Sequence, residues 1–253
     1  MATERHADPL DFTGKVVLVT GGTRNIGRAI SDRFAAAGAT VVAAGRTDPG
    51  DLGEMEFVAC DVRDAEAVEA LVRTIAAVHH RLDVVVNNAG GSPPAPAADA
   101  SARFSERIIA LNLLGPLYVS QEANRVMQQQ DGGGVIVNIG SLSGLRPSPD
   151  TAAYGAAKAG LVNLTQTLAM EWAPKVRVNM VSAGMVLTDD TAEWYGEGER
   201  LDRINATVPL GRMAEPAEIA DAVLAMASPL FRHASGANVV VAGGGERPPY
   251  RDA

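Results

Sequence analysis

The chain has 253 residues, 30 Asp and Glu against 22 Lys and Arg, a net charge of -8 and a pI near 5.0. Nucleic-acid and anionic-membrane surfaces need clustered Lys and Arg, so neither partner is expected. At 47% apolar and 4% aromatic, with glycines and prolines spread along the chain, the composition is that of one globular α/β domain. No stretch reaches the 18 consecutive apolar residues of a membrane span, Met1 to Asp8 hold no apolar core for export, and the single Cys60 forms no internal disulfide. The cytoplasm is the expected compartment.

Residues 1–11 read as a flexible start. Lys15 to Thr20 is a β-branched run closed by Gly21-Gly22, and Ile26, Ile30 and Phe34 then recur at helical spacing up to Ala37. In Thr20-Gly21-Gly22-Thr23-Arg24-Asn25-Ile26-Gly27 the small residues permit a tight turn whose N–H groups, with the helix dipole, face an anion; a dinucleotide pyrophosphate fits. Arg24 opposes the dipole of that helix, which a bound anion would explain. Thr40 to Ala44 reads as the second strand. Where a NAD-binding unit carries an acid for the ribose hydroxyl, this chain has Arg46, which with Arg24 can clamp a 2'-phosphate, so NADP(H) is favoured with NAD(H) the alternative.

Glu56 to Ala59 is a third strand, Asp64 to Val78 a helix through Val68, Leu71, Val72 and Ile75, and Asp83 to Val86 a fourth strand leading into Asn87-Asn88-Ala89-Gly90-Gly91. The proline-rich loop Ser92 to Ala98 bounds a pocket. Ser101 to Gln130 reads as largely helical, with Asn112 near its middle, and Val135 to Ile139 as a strand. After Ser141, Tyr154 and Lys158 stand four apart at the start of a helix, on one face. A cation beside the phenol favours the phenolate, and a hydroxyl at a strand end can share a substrate oxygen with it, which suggests acid–base chemistry. Val176 to Val181 is a strand, 189–208 a mobile flap containing Trp194 and Tyr195, Glu215-Pro216 the start of a helix ending near Ser228-Pro229, and Val239 to Val241 a last buried strand. Residues 246–253 form a frayed tail. The four histidines show no metal spacing.

The order and spacing of Thr20-Gly21 through Gly27, Asn87-Asn88-Ala89-Gly90, Asn112, Ser141, Tyr154 and Lys158 resemble the single-domain branch of the short-chain dehydrogenases/reductases over roughly residues 12–245. The resemblance implies a doubly wound Rossmann-type fold: one NAD(P)-binding domain with a seven-stranded parallel sheet flanked by helices. It implies Tyr154 as general acid or base, Ser141 on the substrate oxygen, Lys158 on the nicotinamide ribose while lowering the tyrosine pKa, and Asn112 holding a relay water. For the cofactor it implies Gly21, Thr23, Arg24, Asn25, Ile26 and Gly27 at the pyrophosphate turn, Asp61 and Val62 at the adenine, Asn88, Ala89 and Gly90 on the adenosine side, and Val186 with Thr188 at the nicotinamide amide. A homotetramer or homodimer is likewise implied. Asn25 stands at the family's middle glycine, a substitution asparagine allows because it tolerates positive φ. Ala183-Gly184 replaces a Pro-Gly, and Ala242 replaces an acid before the final glycines.

The expected function is hydride transfer between a nicotinamide cofactor and a carbonyl or secondary alcohol. A pocket of Gly91, Ser92, Leu142, Ser143, Met185, Trp194 and Tyr195 suits ketones, acyl thioesters, steroids or polyketide-like molecules equally. The alternatives are an NAD-preferring member of the family and a non-catalytic dinucleotide-sensing module.

Overall fold

The computed structural model describes residues 8–189, 191 and 195–246. Among these, seven parallel strands lie in the order β3-β2-β1-β4-β5-β6-β7. They are β1 Val16–Thr20, β2 Thr40–Gly45, β3 Glu56–Ala59, β4 Val84–Asn87, β5 Gly134–Ser141, β6 Val176–Ala183 and β7 Asn238–Val241. The helices are α1 Asn25–Ala36, α2 Ala65–His79, α3 Ala102–Ile109, α4 Gly115–Met127, α5 Ala152–Glu171, α6 Glu199–Thr207 and α7 Pro216–Ala227.

A strand covered by helices on both sides must be apolar on both faces, and β1 is buried at all five positions. Its pleat divides the core. Val16 and Leu18 join Val68, Leu71, Val119, Met127 and Leu168 beneath α2, α4 and α5, while Val17 and Val19 join Ile30, Phe34, Ile219, Val223 and Leu224 beneath α1 and α7. Phe34 meets Phe12 edge-on with ring centroids 5.0 Å apart, and Arg33 ion-pairs with Asp221 at 2.6 Å across the two helices. Cys60 lies in the core, where burial first and then the carboxylates of Asp61 and Asp64 push its thiol up to about 11.

The chain leaves β1 toward β2 and β3 on one side, and from β4 toward β7 on the other. The loops after β1 and β4 therefore part, opening the crevice in which doubly wound sheets bind ligands.

The segment Ser101 to Gln130 is largely helical, as expected, and carries a π turn over Ala110–Leu114 between α3 and α4. Pro116 has no N–H for the carbonyl four residues before it, so a regular ladder fails at that point. One expectation is corrected: the last strand, β7, expected to be buried, is an edge strand, with Val239 and Val241 packed toward α7 and Val240 on the other face 48% exposed. Within the expected flap, Glu199–Thr207 is helical, and Trp194 lies outside the described residues. At the start of the described residues, Asp11 N donates to Asp8 O and closes a turn.

Asp83, just before β4, accepts from Val16 N at 2.9 Å, Lys15 Nζ at 3.3 Å and both arms of Arg81 at 2.7 and 2.6 Å. Burial raises its pKa, but Arg81, the Val16 N–H and Lys15 outweigh it and the net shift is downward. A depressed carboxylate contributes stability above its unfolded pKa of ~4 and loses it as pH falls through the folded value. Asp83→Asn is expected to melt about 3 °C below wild type at pH 7, with the two thermal melts converging below pH ~4.

Candidate functional site

The first wall of the crevice is the turn after β1. Gly21 has φ +63° and Asn25 φ +50°, so the asparagine occupies the left-handed conformation expected of it. A Cβ on Gly27 would overlap Gly21 O, so glycine is required where α1 meets the turn. Arg24 is the N-cap of α1, whose first turn holds no acidic residue. These features leave a helix N-terminus facing the crevice with no acidic residue in its first turn. Thr23 borders the end of β2, its Oγ1 3.7 Å from where a Cβ on Gly45 would lie, so Arg24 and Arg46 belong to neighbouring loops.

The second wall is the loop after β4. Thr20 Oγ1 accepts from Asn88 N and Ala89 N, both at 3.1 Å, and Asn88 Nδ2 donates to Thr20 O at 3.0 Å and Gly21 O at 3.1 Å. The Asn88 side chain therefore braces the glycine turn through its Nδ2 donors. Val62 and Val186, 6% and 5% exposed, are core side chains. Thr188 is tied to Thr191, with hydroxyls 3.0 Å apart. Asp61 is held bidentately by Arg63 at 2.9 and 2.5 Å; that bond, against the opposing effect of burial, lowers its pKa, and Arg46 contributes weakly. Sequence reasoning missed Arg63, for which an acid two residues earlier at a strand end is the only signal.

The reactive wall stands at the ends of β5 and α5. Ser141 Oγ accepts from Ser143 N at 3.2 Å, and Ser143, Ser148 and Thr151 continue a hydroxyl chain at 3.1 and 2.8 Å that orders the loop into α5. Lys158 is 3% exposed; its Nζ donates to Ile139 O at 2.7 Å and lies 5.7 Å from the Tyr154 ring centroid. The expected lowering of Tyr154 by the lysine is not observed. Burial pushes the phenol up, Ser141 pulls it down and Tyr195 adds to the rise. Burial also brings Lys158 down to about 8. Asn112, fully buried in the π turn, exchanges hydrogen bonds with Gly91, accepting from its N–H at 2.8 Å and donating to its carbonyl at 2.9 Å, and donates to Ile108 O at 2.9 Å. Pro116 leaves the Asn112 carbonyl without its helical i+4 donor. A Cβ on Gly90 would lie 2.7 Å from Asn112 Oδ1 and 3.3 Å from Lys158 Nζ, so that glycine keeps the floor open. Below the floor, Asn87 Nδ2 donates to Asn138 Oδ1 and Ser120 Oγ at 2.8 and 2.9 Å, and Asn138 to Thr165 Oγ1 at 2.8 Å.

The glycine turn, Gly90, Asn112, Ser141, Tyr154 and Lys158 thus gather around one crevice, and its open cradle and cationic rim fit a dinucleotide. Among the described residues no cluster of three or more His, Cys, Asp or Glu could hold a metal, and no helix is long and apolar enough to cross a membrane.

The profile of the family described as Enoyl-(Acyl carrier protein) reductase matches residues 21–246. A short-chain type dehydrogenase/reductase of Sinorhizobium fredii, y4vI, is 40% identical over 91% of this chain, which spans 43% of that protein's length. The D-threitol dehydrogenase of Mycolicibacterium smegmatis is 37% identical over 91% of this chain and 92% of its own. A Beutenbergia cavernae structure, assigned as a candidate NAD(P) dependent gluconate 5-dehydrogenase with NADP bound at low occupancy, superimposes with TM-score 0.86 at 35% identity, covering 94% of this chain and 98% of that one.

A lysine depressed from 10.5 to about 8 binds fewer protons when folded than when unfolded between those values. Stability attributable to it therefore rises with pH across that window, and the penalty, roughly 3 kcal/mol, is complete below it. In thermal melts from pH 7 to 10.5, wild type is expected to gain stability relative to Lys158→Met, and the difference to be flat below pH ~7.

Proposed function

The chain belongs to the short-chain dehydrogenase/reductase family, an oxidoreductase family, and from that premise we propose that it is a cytoplasmic NADP(H)-dependent dehydrogenase of polyols or sugars. The observation that carries the catalytic reading is the convergence of the Tyr154 phenol, the Ser141 hydroxyl and the buried Lys158 ammonium beside the glycine-turn crevice. The substrate class follows the polyhydroxylated compounds in the names of the D-threitol dehydrogenase and of the gluconate 5-dehydrogenase candidate.

A bound nicotinamide supplies the hydride chemistry. In alcohol oxidation Tyr154 takes the carbinol proton and in reduction returns it, with Ser141 donating a hydrogen bond to the same oxygen. Lys158, fixed by Ile139 O, places its remaining N–H groups for a ribose hydroxyl and adds positive potential where a phenolate develops. The Asn112 carbonyl can accept from a water that passes the proton outward. Gly21 to Gly27 would hold the pyrophosphate, Asp61 and the backbone of Val62 the adenine, the backbone of Asn88 to Gly90 the adenosine side, and the Val186 backbone with Thr188 the nicotinamide amide. Arg46, with Arg24 on the neighbouring loop, supports NADP, since a carboxylate at the end of β2 would repel a 2'-phosphate. Met170, 84% exposed on α5, supports self-association through that helix into a homotetramer.

NADP reduction is expected with a panel of polyols and aldoses, and Tyr154→Phe is expected to lower kcat about 1000-fold. Full turnover by Tyr154→Phe would refute the assigned acid–base role, and tight NADPH binding without turnover on any alcohol would favour the dinucleotide-sensing module. Arg46→Asp is expected to cut the NADP-over-NAD preference in kcat/KM about 30-fold through loss of charge-assisted bonds; a wild type that prefers NAD overturns the cofactor assignment.

A further inference from the structure

Beyond the glycine turn, the crevice is edged by the ends of β2 and β3. Gly45 pairs with Ala59 and Cys60 N donates to Gly45 O at 2.8 Å, so Arg46 and Asp61 leave adjacent strand ends. A guanidinium and a carboxylate so placed are natural partners. Among the described residues, however, no ion pair joins them, and Arg46 stays exposed. Arg63 holds the carboxylate instead: Nε donates to Oδ1 at 2.9 Å, Nη2 to Oδ2 at 2.5 Å and the backbone N–H to Oδ1 at 3.1 Å. The pair closes within three residues and needs no distant element to form. The other aspartates of these two loops are turned into backbone: Asp48 and Asp51 accept from Gly50 N and Gly53 N, each at 2.8 Å, and Asp64 accepts from Glu66 N and Ala67 N at 3.0 and 3.3 Å at the start of α2. The Arg63 bond is the chief cause of the lowered Asp61 pKa and Arg46 the least of them, the mark of a charge nearby and untouched.

We propose that Arg63 is a positioning residue for cofactor choice: by occupying both oxygens of Asp61 it keeps that carboxylate off Arg46 and cancels its charge, leaving the Arg46 guanidinium open to a 2'-phosphate. The inference rests on the NADP reading above and names the residue that makes an acid beside Arg46 compatible with it. A carboxylate at the end of β3 would otherwise act as one at the end of β2 does, repelling the phosphate and competing for the arginine that binds it. Each carboxylate oxygen keeps a second lone pair, so Asp61 can still accept from the adenine while Arg63 holds it. A lysine supplies the charge but not the planar fork that fixes both oxygens at once. The side chains of Arg63 and Asp61 are 32% and 34% exposed, so the pair contributes little to stability and its loss acts on the site more than on the fold.

The test is titration calorimetry of the purified full chain with 2',5'-ADP and with 5'-AMP, which differ by the 2'-phosphate and need no turnover. Wild type is expected to bind 2',5'-ADP the more tightly. Arg63→Met is expected to cut that preference about tenfold, because an unneutralised carboxylate then faces the phosphate, with the affinity for 5'-AMP changed less than about threefold. Arg63→Lys is expected to fall between the two. Adding Asp61→Asn to Arg63→Met removes the uncancelled charge and is expected to regain most of the preference. An Arg63→Met protein as selective as wild type overturns the inference. So does a double variant as unselective as Arg63→Met alone, since Arg63 would then act on the phosphate directly and not through Asp61. A wild type that binds both ligands equally overturns the NADP reading itself, a result distinct from a preference for 2',5'-ADP that is insensitive to these substitutions.

Discussion

The site depends on the hydrogen bonding that ties the loops after β1 and β4 together where the sheet reverses its direction of winding. Thr20 Oγ1 accepts two N–H groups from the β4 loop, and the Asn88 carboxamide returns two donors to the glycine turn. Each such bond contributes about 1 kcal/mol net, but each would leave a costly unpaired group if its partner moved. Their effect is more geometric than energetic. With both loops fixed, Gly21, Asn25 and Gly27 hold the turn in its left-handed, close-packed form, and α1 presents its N-terminus to the crevice. The same tie brings Gly90 under Asn112 and Lys158.

Four carboxamides extend this control through the centre of the molecule. Asn87 and Asn138 link β4 and β5 to α4 and α5 through Ser120 and Thr165, Asn88 braces the first turn, and Asn112 clasps Gly91 as a neighbouring strand would. A buried carboxamide tolerates few arrangements because each donor or acceptor left unpaired is costly; of these four, Asn87 keeps one buried atom, Oδ1, without a partner among the described residues. The π turn exists within this frame: it rotates Asn112 toward Gly91, and Pro116 removes the donor that would otherwise have claimed the Asn112 carbonyl. One irregular turn thereby fixes the loop that carries Gly91.

The fold was legible because strand and helix periods alternate cleanly and because β1, β4 and β5 are apolar on both faces. The glycine turn was legible down to Asn25, whose positive φ follows from how few residue types tolerate it. What the chain order did not reveal was direction. Periodicity made Asn112 an interior helical residue, although Gly115-Pro116 was there to signal the break. Motif order brought Asn88, Val62 and Val186 to the crevice, but which way each side chain turned depended on contacts with Gly21, Gly115 and the core under α7. The Tyr154–Lys158 spacing gave their shared face and not the electrostatics, because burial is a property of the packed molecule. The helix Glu199–Thr207 was concealed because only Leu201 and Ile204 mark its inner face and no residue within it is fully buried.

Burial acts on Tyr154 and Lys158 in opposite directions. Both are driven toward their neutral forms, the phenol upward and the lysine down to about 8, which parts two groups whose free values are both near ~10. A protein selected for stability alone would have no reason to bury an ammonium against a single carbonyl. The charge is useful only when negative charge develops beside it, and in a water-excluded site that attraction is far stronger than at a surface. The penalty carried by the resting fold is thus the preorganisation of the reaction: Lys158 is already desolvated and held by Ile139 O before a phenolate forms, so little remains to be reorganised as the proton moves.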